Sequence, residues 1–94
     1  QGEKRRLLAL TPATYTGTLC TGKSFPFAVS GGTTPYNVTA ATTVPSGAPM
    51  ATPVVLISGF YYVGPIPSDT GVTTVRIIDA SSPPKNLTAT ITCT

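Results

Sequence analysis

The chain has 94 residues, of which 40% are hydrophobic and 10% are charged, with a formal net charge of +3. This length fits one domain with a thin core, and the low charge excludes disorder driven by charge repulsion. Lys4, Arg5 and Arg6 stand together near the start. A nucleic-acid binder spreads basic residues over a face between stacking aromatics, so no nucleic-acid partner is expected. No apolar run reaches the roughly 20 residues that cross a bilayer, so no membrane span is expected.

Turn residues punctuate the whole chain and predict strands instead of helices. The sequence has 10 prolines and 9 glycines, and its commonest residue is threonine, whose β-branched side chain favours strands. The first expected strands cover 6–10 and 13–18. A third covers 24–30, where Pro26 indicates an edge position or a bulge because it cannot donate to a ladder. The inward residues of this third strand would be Phe25, Phe27 and Val29.

A corner follows at Gly31 and Gly32, which accept positive φ, and Pro35 directs the exit from it. The inward residues of the next strand would be Tyr36, Val38 and Ala40. Segment 42–53 contains three prolines and a glycine. It is therefore expected to be a loop or an irregular edge strand.

The middle of the chain is its most apolar part. Residues 54–57 form a continuous apolar run that predicts a strand buried on both faces, and 60–63 continue it after a glycine. Loops are expected around 64–71 and 79–86, and between them lies a strand with Val75 and Ile77 inward. The last strand, 87–94, alternates most regularly, and its inward residues would be Leu87, Ala89, Ile91 and Cys93.

The chain has two cysteines, Cys20 and Cys93, and no histidine. A metal site needs more such ligands at short spacing, so no cofactor or metal is expected. A structural disulfide is favoured over two free thiols, since closing this long loop would stabilise a domain with a thin core. A disulfide implies an oxidising compartment, so the expected location is extracellular or on a cell surface.

Two stretches, "FPFAVSGGTTPYNVT" and "GVTTVRIIDASSPPKNLTATITC", resemble bacterial immunoglobulin-like and PKD-like surface repeats. The resemblance covers residues 24–41 and 71–93, about two thirds of the chain, and is carried by turn chemistry. It implies a β-sandwich of about seven strands in a secreted or surface protein, where such domains serve as spacers, stalks, adhesin modules or filament subunits. The chain departs from that pattern in its cysteine pair and in the apolar stretch "VVLISGFYYVGPIP", which could be a face that packs on another subunit.

The N-terminal segment, 1–10, is treated separately from the domain body, 11–94. It is either an ordinary first strand or an arm that adds to the sheet edge of a neighbouring copy. Exposed tyrosines can also stack on sugar rings, so carbohydrate is an alternative ligand, although the aliphatic run at 54–57 favours a protein partner. The candidate partner-contact residues are Leu7, Leu8, Leu10, Phe60, Tyr61 and Tyr62.

Catalysis is not expected, because there is no histidine to act as a base and only three carboxylates are present. Asp69 and Asp79 are predicted to cap turns, with one weak calcium site as the alternative. Asn37 and Asn86 match the N-glycosylation acceptor pattern.

Together these patterns predict an all-β, immunoglobulin-like antiparallel sandwich of about seven strands, cross-linked by one disulfide. The expected function is a non-enzymatic extracellular structural or adhesion module, with a self-associating filament or pilus subunit as the favoured form. The alternative is a passive spacer repeat or a carbohydrate-binding module of a larger surface protein.

Overall fold

The computed structural model describes residues 7–45 and 47–94, and this part of the chain is all-β. Its nine strands, in chain order, are β1 (Ala9–Thr11), β2 (Thr14–Gly17), β3 (Phe25–Ser30), β4 (Asn37–Thr43), β5 (Met50–Thr52), β6 (Val54–Ile57), β7 (Phe60–Val63), β8 (Gly71–Ile78) and β9 (Asn86–Cys93). Part of the strand expected at 6–10, and most of the segment 1–10, lies outside the described residues.

The strands form two packed sheets, which confirms the predicted β-sandwich. One sheet has the order β1-β3-β7-β6, and the other has the order β2-β9-β8-β4-β5. All neighbours run antiparallel except β2 and β9, which run parallel. Nine strands replace the seven or so expected, because the leading segment is divided between both sheets and β5 extends the second one. The order matches the ABED and GFC sheets of immunoglobulin-like sandwiches, with a further strand at each side of the second sheet.

Inward side chains from both sheets share one core, whose fully buried members include Phe27, Val75 and Ile91. These residues were predicted to face inward from the period-two alternation of their strands, and the structure confirms it. The ring of Tyr15 lies 5.1 Å from those of both Phe25 and Phe27, so β2 closes the core with an aromatic cluster. Burial raises the pKa of Tyr15, and the nearby Tyr62 adds to the effect.

Cys20 and Cys93 form the predicted disulfide, and both residues are buried. Cys20 lies in the loop that leads from β2 to β3, and Cys93 is the last residue of β9. The bond therefore joins the end of the second sheet to the chain entering the first sheet. A disulfide is compatible with an extracellular location.

Gly31 and Gly32 make the predicted corner between β3 and β4, and both have positive φ. A Cβ on Gly32 would lie 2.8 Å from Asp79 Oδ2 and 2.9 Å from Leu8 Cδ1, so this position has no room for a side chain. Asp79 Oδ2 accepts a hydrogen bond from the Thr33 N–H, which follows the two glycines. The corner thus packs directly on the loop between β8 and β9.

Segment 42–53 was expected to be a loop or an irregular edge strand, and it contains the short edge strand β5. Strand β4 continues to Thr43, and the side chain of Thr42 turns inward. The Thr42 hydroxyl is 2.6 Å from that of Thr52 on β5 and 2.8 Å from that of Thr73 on β8. This buried chain of hydroxyl groups satisfies all three side chains and links β4 to both β5 and β8.

Pro26 occupies a place in β3 where a missing N–H costs no ladder bond. It pairs with Tyr62 on one side, and β1 reaches only as far as Ala28 on the other. The Pro26 carbonyl accepts a hydrogen bond from the Tyr15 hydroxyl. On the side of β1, Pro26 is therefore at a local sheet edge, as expected, although β3 as a whole lies between two other strands.

Candidate interaction surface

Strands β6 and β7 form a tight hairpin whose two turn residues are Ser58 and Gly59. Their φ angles are 52° and 87°, and two successive positive values define a type I′ turn. This turn matches the right-handed twist of the strands and fixes the register, in which Ile57 pairs with Phe60. The hairpin is therefore defined by local sequence, and it forms the β7-β6 side of the four-stranded sheet.

The hairpin exposes large apolar side chains, which corrects the expectation that 54–57 is buried on both faces. Val55 is 50% exposed, Leu56 58%, Ile57 52% and Phe60 45%, and we call these four residues the apolar hairpin. Val54 packs on the core, because it is the residue of β6 that lies nearest the sandwich interior. The run lies at an edge of the sheet, where none of the strands within residues 7–45 and 47–94 covers it.

Three of the four residues of the apolar hairpin, Val55, Ile57 and Phe60, belong to a larger uncharged surface, the outer face of the four-stranded sheet, whereas Leu56 lies on the inner face. Cross-strand partners share a face, and Phe27 and Val63 point inward. The outer face therefore carries the alternate residues of the four strands, namely Ala9, Thr11, Pro26, Ala28, Ser30, Val55, Ile57, Phe60 and Tyr62. None of the residues in β1, β3, β6 or β7 is charged. The side chains of these four strands therefore offer no charge with which a charged partner could pair.

The backbone of β6 offers unpaired groups at this edge. The Gly64 N–H donates to the Pro53 carbonyl at 2.9 Å, which identifies Val54 and Val63 as a non-hydrogen-bonded pair. Since such pairs alternate along a ladder, the backbone groups of Val55 face β7. Those of Val54 and Leu56 face away from β7, towards the free edge. Edge strands usually carry a charge or a proline to prevent pairing, and β6 carries neither.

The predicted N-terminal contact residues occupy three different environments. Leu7 is 80% exposed, Leu8 is buried beside Gly32, and Leu10 packs against the core from β1. Strand β1 pairs with β3 of the same chain, from Ala9 opposite Ser30 to Thr11 opposite Ala28. The exchange of this segment between copies stays a prediction, and residues 1–6 lie outside the described part.

The predicted aromatic contact run is divided between the two faces of the sheet. Phe60 and Tyr62 lie on the outer face, and Tyr61 lies on the inner face opposite Leu56. Both tyrosines are half-buried. The structure therefore places Phe60 and Tyr62 on the same surface as Val55 and Ile57, and separates Tyr61 from them.

Both candidate carboxylates hold loops by accepting hydrogen bonds. Asp79 is buried and accepts from the Ser81 hydroxyl and from the N–H groups of Ser81, Lys85 and Thr33. These bonds, led by that from the Ser81 side chain, hold the pKa of Asp79 well below its usual range. Asp69 accepts from the Thr21 N–H at 3.0 Å, and hydrogen bonding from Thr21 lowers its pKa. Among the described residues there is no cluster of three metal-ligating side chains.

The outer face of the five-stranded sheet is polar by contrast. It carries the exposed Arg76 and a group of threonines that lie beside one another on four strands. They include Thr14, Thr39, Thr74, Thr88 and Thr90. The two glycosylation-pattern residues, Asn37 and Asn86, are exposed on this same face, each paired with Ile78.

The sequence indicated both the aromatic and the aliphatic parts of the hairpin as a candidate partner face, but not that 54–57 lies exposed at a sheet edge. The turn signal was present as Ser-Gly between two apolar runs, which is a recognised hairpin pattern. Length and periodicity alone do not say whether a short apolar run lies in the centre or at the edge of a sheet.

No protein-family model matches the chain, and a comparison with curated proteins gives no match. Within the described residues, no helix is long and apolar enough to span a membrane.

Proposed function

We propose that this chain is a non-enzymatic structural or adhesion module that works outside the cytoplasm, in the form of a filament or pilus subunit. The observation that carries the proposal is the apolar hairpin, which combines half-exposed aliphatic side chains with an unprotected strand edge. Soluble monomers rarely keep such an edge free of charges, because it pairs with other chains.

The chemistry of the remaining side chains fits a structural role. The carboxylate of Asp79 is held by backbone N–H groups of neighbouring loops, so it lacks the freedom that a general acid or base needs, and that of Asp69 accepts a hydrogen bond from the Thr21 N–H. The buried disulfide suits a protein that must stay folded in an oxidising compartment. The resemblance to bacterial immunoglobulin-like and PKD-like repeats points to the same class of surface proteins.

The proposal predicts that the disulfide-bonded protein forms polymers under native conditions. Sedimentation velocity over a range of concentrations, with electron microscopy of the same samples, measures this directly. Removal of residues 1–10 should reduce polymer growth, and removal of residues 1–6 alone is the matched control because it leaves the buried Leu8 in place. Circular dichroism and the intact disulfide establish that each variant is folded. A protein that stays monomeric at all concentrations would contradict the proposal and favour a spacer domain.

A carbohydrate-binding module is the second candidate, and the outward position of Phe60 and Tyr62 is the observation in its favour. Two aromatic rings on one face can stack on sugar rings. Titration with oligosaccharides should then change tyrosine fluorescence, and Tyr62→Ala should abolish the change. Tyr61→Ala is the control, since Tyr61 lies on the inner face.

A further inference from the structure

We propose that the β6 edge binds the β6 edge of a second copy across a two-fold axis, so that two four-stranded sheets become one sheet of eight strands. This inference rests on the proposed function, because it identifies the partner of the surface on which that function depends. A two-fold contact joins two copies and then closes, so growth beyond a pair needs a second contact elsewhere on the chain.

The alternation of hydrogen-bonded and non-hydrogen-bonded pairs between β6 and β7 fixes the register of this contact. The backbone groups of Val54 and Leu56 face the free edge, whereas those of Val55 face β7. In an antiparallel two-fold pairing, Val54 therefore exchanges hydrogen bonds with Leu56 of the second copy, and Leu56 exchanges them with Val54. Val55 lies opposite its own equivalent at the axis, as a non-hydrogen-bonded pair.

The proline that precedes β6 does not interfere with this register. The Pro53 carbonyl accepts the Gly64 N–H, so the backbone of Pro53 faces β7 and not the free edge. Its missing N–H therefore removes no bond from the proposed contact. In the same register, Pro53 lies opposite Ile57 of the second copy and adds an apolar neighbour to it.

The exposed area is sufficient only if both copies contribute the same surface. The four side chains of the apolar hairpin are about half exposed and leave roughly 300–400 Å² in water, comparable to the largest apolar patch of a typical monomer. An edge-to-edge contact covers the side chains that flank the β6 backbone, namely Val55, Leu56 and Ile57, and both copies contribute them equally, which suits a weak, reversible interface. A short apolar peptide would cover far less.

The other three edge strands are poorer candidates. Strand β5 has three residues and lies between Pro49 and Pro53, and β1 also has three residues. Strand β2 is Thr-Tyr-Thr-Gly and presents threonines outward. Strand β6 is thus the apolar edge without a protecting residue, and its lack of charge makes it complementary to itself.

The experiment compares lysine at two exposed valines. Val55→Lys places a charge at the proposed two-fold axis, while Val72→Lys places the same charge on the five-stranded sheet, where Val72 is 39% exposed. We expect the dissociation constant for self-association, measured by sedimentation, to rise about thirtyfold or more for Val55→Lys, as for a central interface residue. Val72→Lys should behave as the unchanged protein. Val55→Thr keeps the shape and should weaken association less.

Cysteine cross-linking tests the register itself. The Cα atoms of a non-hydrogen-bonded antiparallel pair lie about 4.5 Å apart, within the range that a disulfide spans. A Val55→Cys variant should therefore form a covalent dimer on mild oxidation, with peptide mapping showing the new bond between the two introduced thiols and the Cys20–Cys93 bond intact. Val72→Cys is the control and should remain uncrosslinked.

The outcomes separate this inference from the proposed function. If the unchanged protein self-associates and both lysine variants associate equally well, the β6 contact is wrong and the proposed function stands. If association weakens for Val55→Lys but Val55→Cys gives no cross-link, the two-fold register is wrong. If the unchanged protein is monomeric throughout, both proposals fail.

Discussion

The two sheets of this sandwich share one core but present opposite surfaces to the solvent. The outer face of the four-stranded sheet is uncharged and ends in Val55, Ile57 and Phe60, whereas the five-stranded sheet presents threonines and Arg76. Every charged residue in the described part lies on a loop or on the five-stranded sheet. Folding requires only that inward residues be apolar, so the difference between the outer faces points to a role for one of them beyond folding.

The largest effect is expected from the bond that holds the two sheets together. Cys20→Ser with Cys93→Ser opens a loop with a sequence separation of 73, and the chain-entropy account gives a loss of about 4 kcal/mol. Urea denaturation of the double variant and of the unchanged protein measures this loss. If both sheets form one cooperative unit, far- and near-ultraviolet circular dichroism should give the same midpoint. Separate midpoints would show an intermediate that keeps strands after its aromatic packing has loosened, which contradicts a single cooperative unit.

The next largest loss of stability is expected at Gly32, in the corner between the sheets, and it is compared with the loss at Gly59, in the turn of the hairpin. Gly32→Ala forces a Cβ against Asp79 and Leu8 at a positive φ and should cost about 1–3 kcal/mol. Gly59→Ala also sits at positive φ, but nothing lies within 4 Å of its Cβ, so its cost should be smaller. Thermal denaturation compares the two variants. Equal losses would show that the contacts of the corner add nothing to backbone strain.

Acid stability depends on the same corner. The folded pKa of Asp79 lies below the value of about 3.9 for an unfolded aspartate, so its ionised form stabilises the fold at neutral pH. That contribution should be lost as the pH falls from about 5 through the folded pKa. Asp79→Asn should lower the melting temperature at pH 7 and reduce its dependence on pH in the acid range. Asp69→Asn, which removes fewer hydrogen bonds, should have a weaker effect, and the reverse order would contradict this assignment.

The smallest effect on stability is expected from substitutions that exchange the polarity of the two outer faces. Val55→Thr with Ile57→Thr makes the hairpin polar, and Thr74→Val with Thr88→Val makes the other face more apolar. Each substitution is exposed and should change the free energy of unfolding by no more than about 0.5 kcal/mol. Self-association, followed by light scattering, should weaken in the first variant. It should change little in the second, since the valines there lie away from any free edge.

Much of the interior could be predicted from the sequence, since alternation in β3, β8 and β9 assigned Phe27, Val75 and Ile91 to the core. The disulfide also followed, because Cys93 shares the inward face of β9. Two features could not be predicted. The parallel pairing of β2 with β9 depends on where the chain crosses between sheets, and the exposure of 54–57 depends on its place at a sheet edge. A continuous apolar run has the same sequence pattern whether it lies in the centre or at the edge of a sheet.

Amide hydrogen exchange along β6 tests most directly whether this edge is the surface where copies meet. The Val54 and Leu56 N–H groups face the free edge, so they should exchange rapidly in dilute protein and become protected as the concentration rises. The Val55 N–H, already bonded to β7, provides an internal reference, and the outer strand β5 provides a second edge for comparison. Protection that rises with concentration at Val54 and Leu56, but not in β5, is the predicted result. Unchanged exchange at these two residues while the protein self-associates would contradict the account.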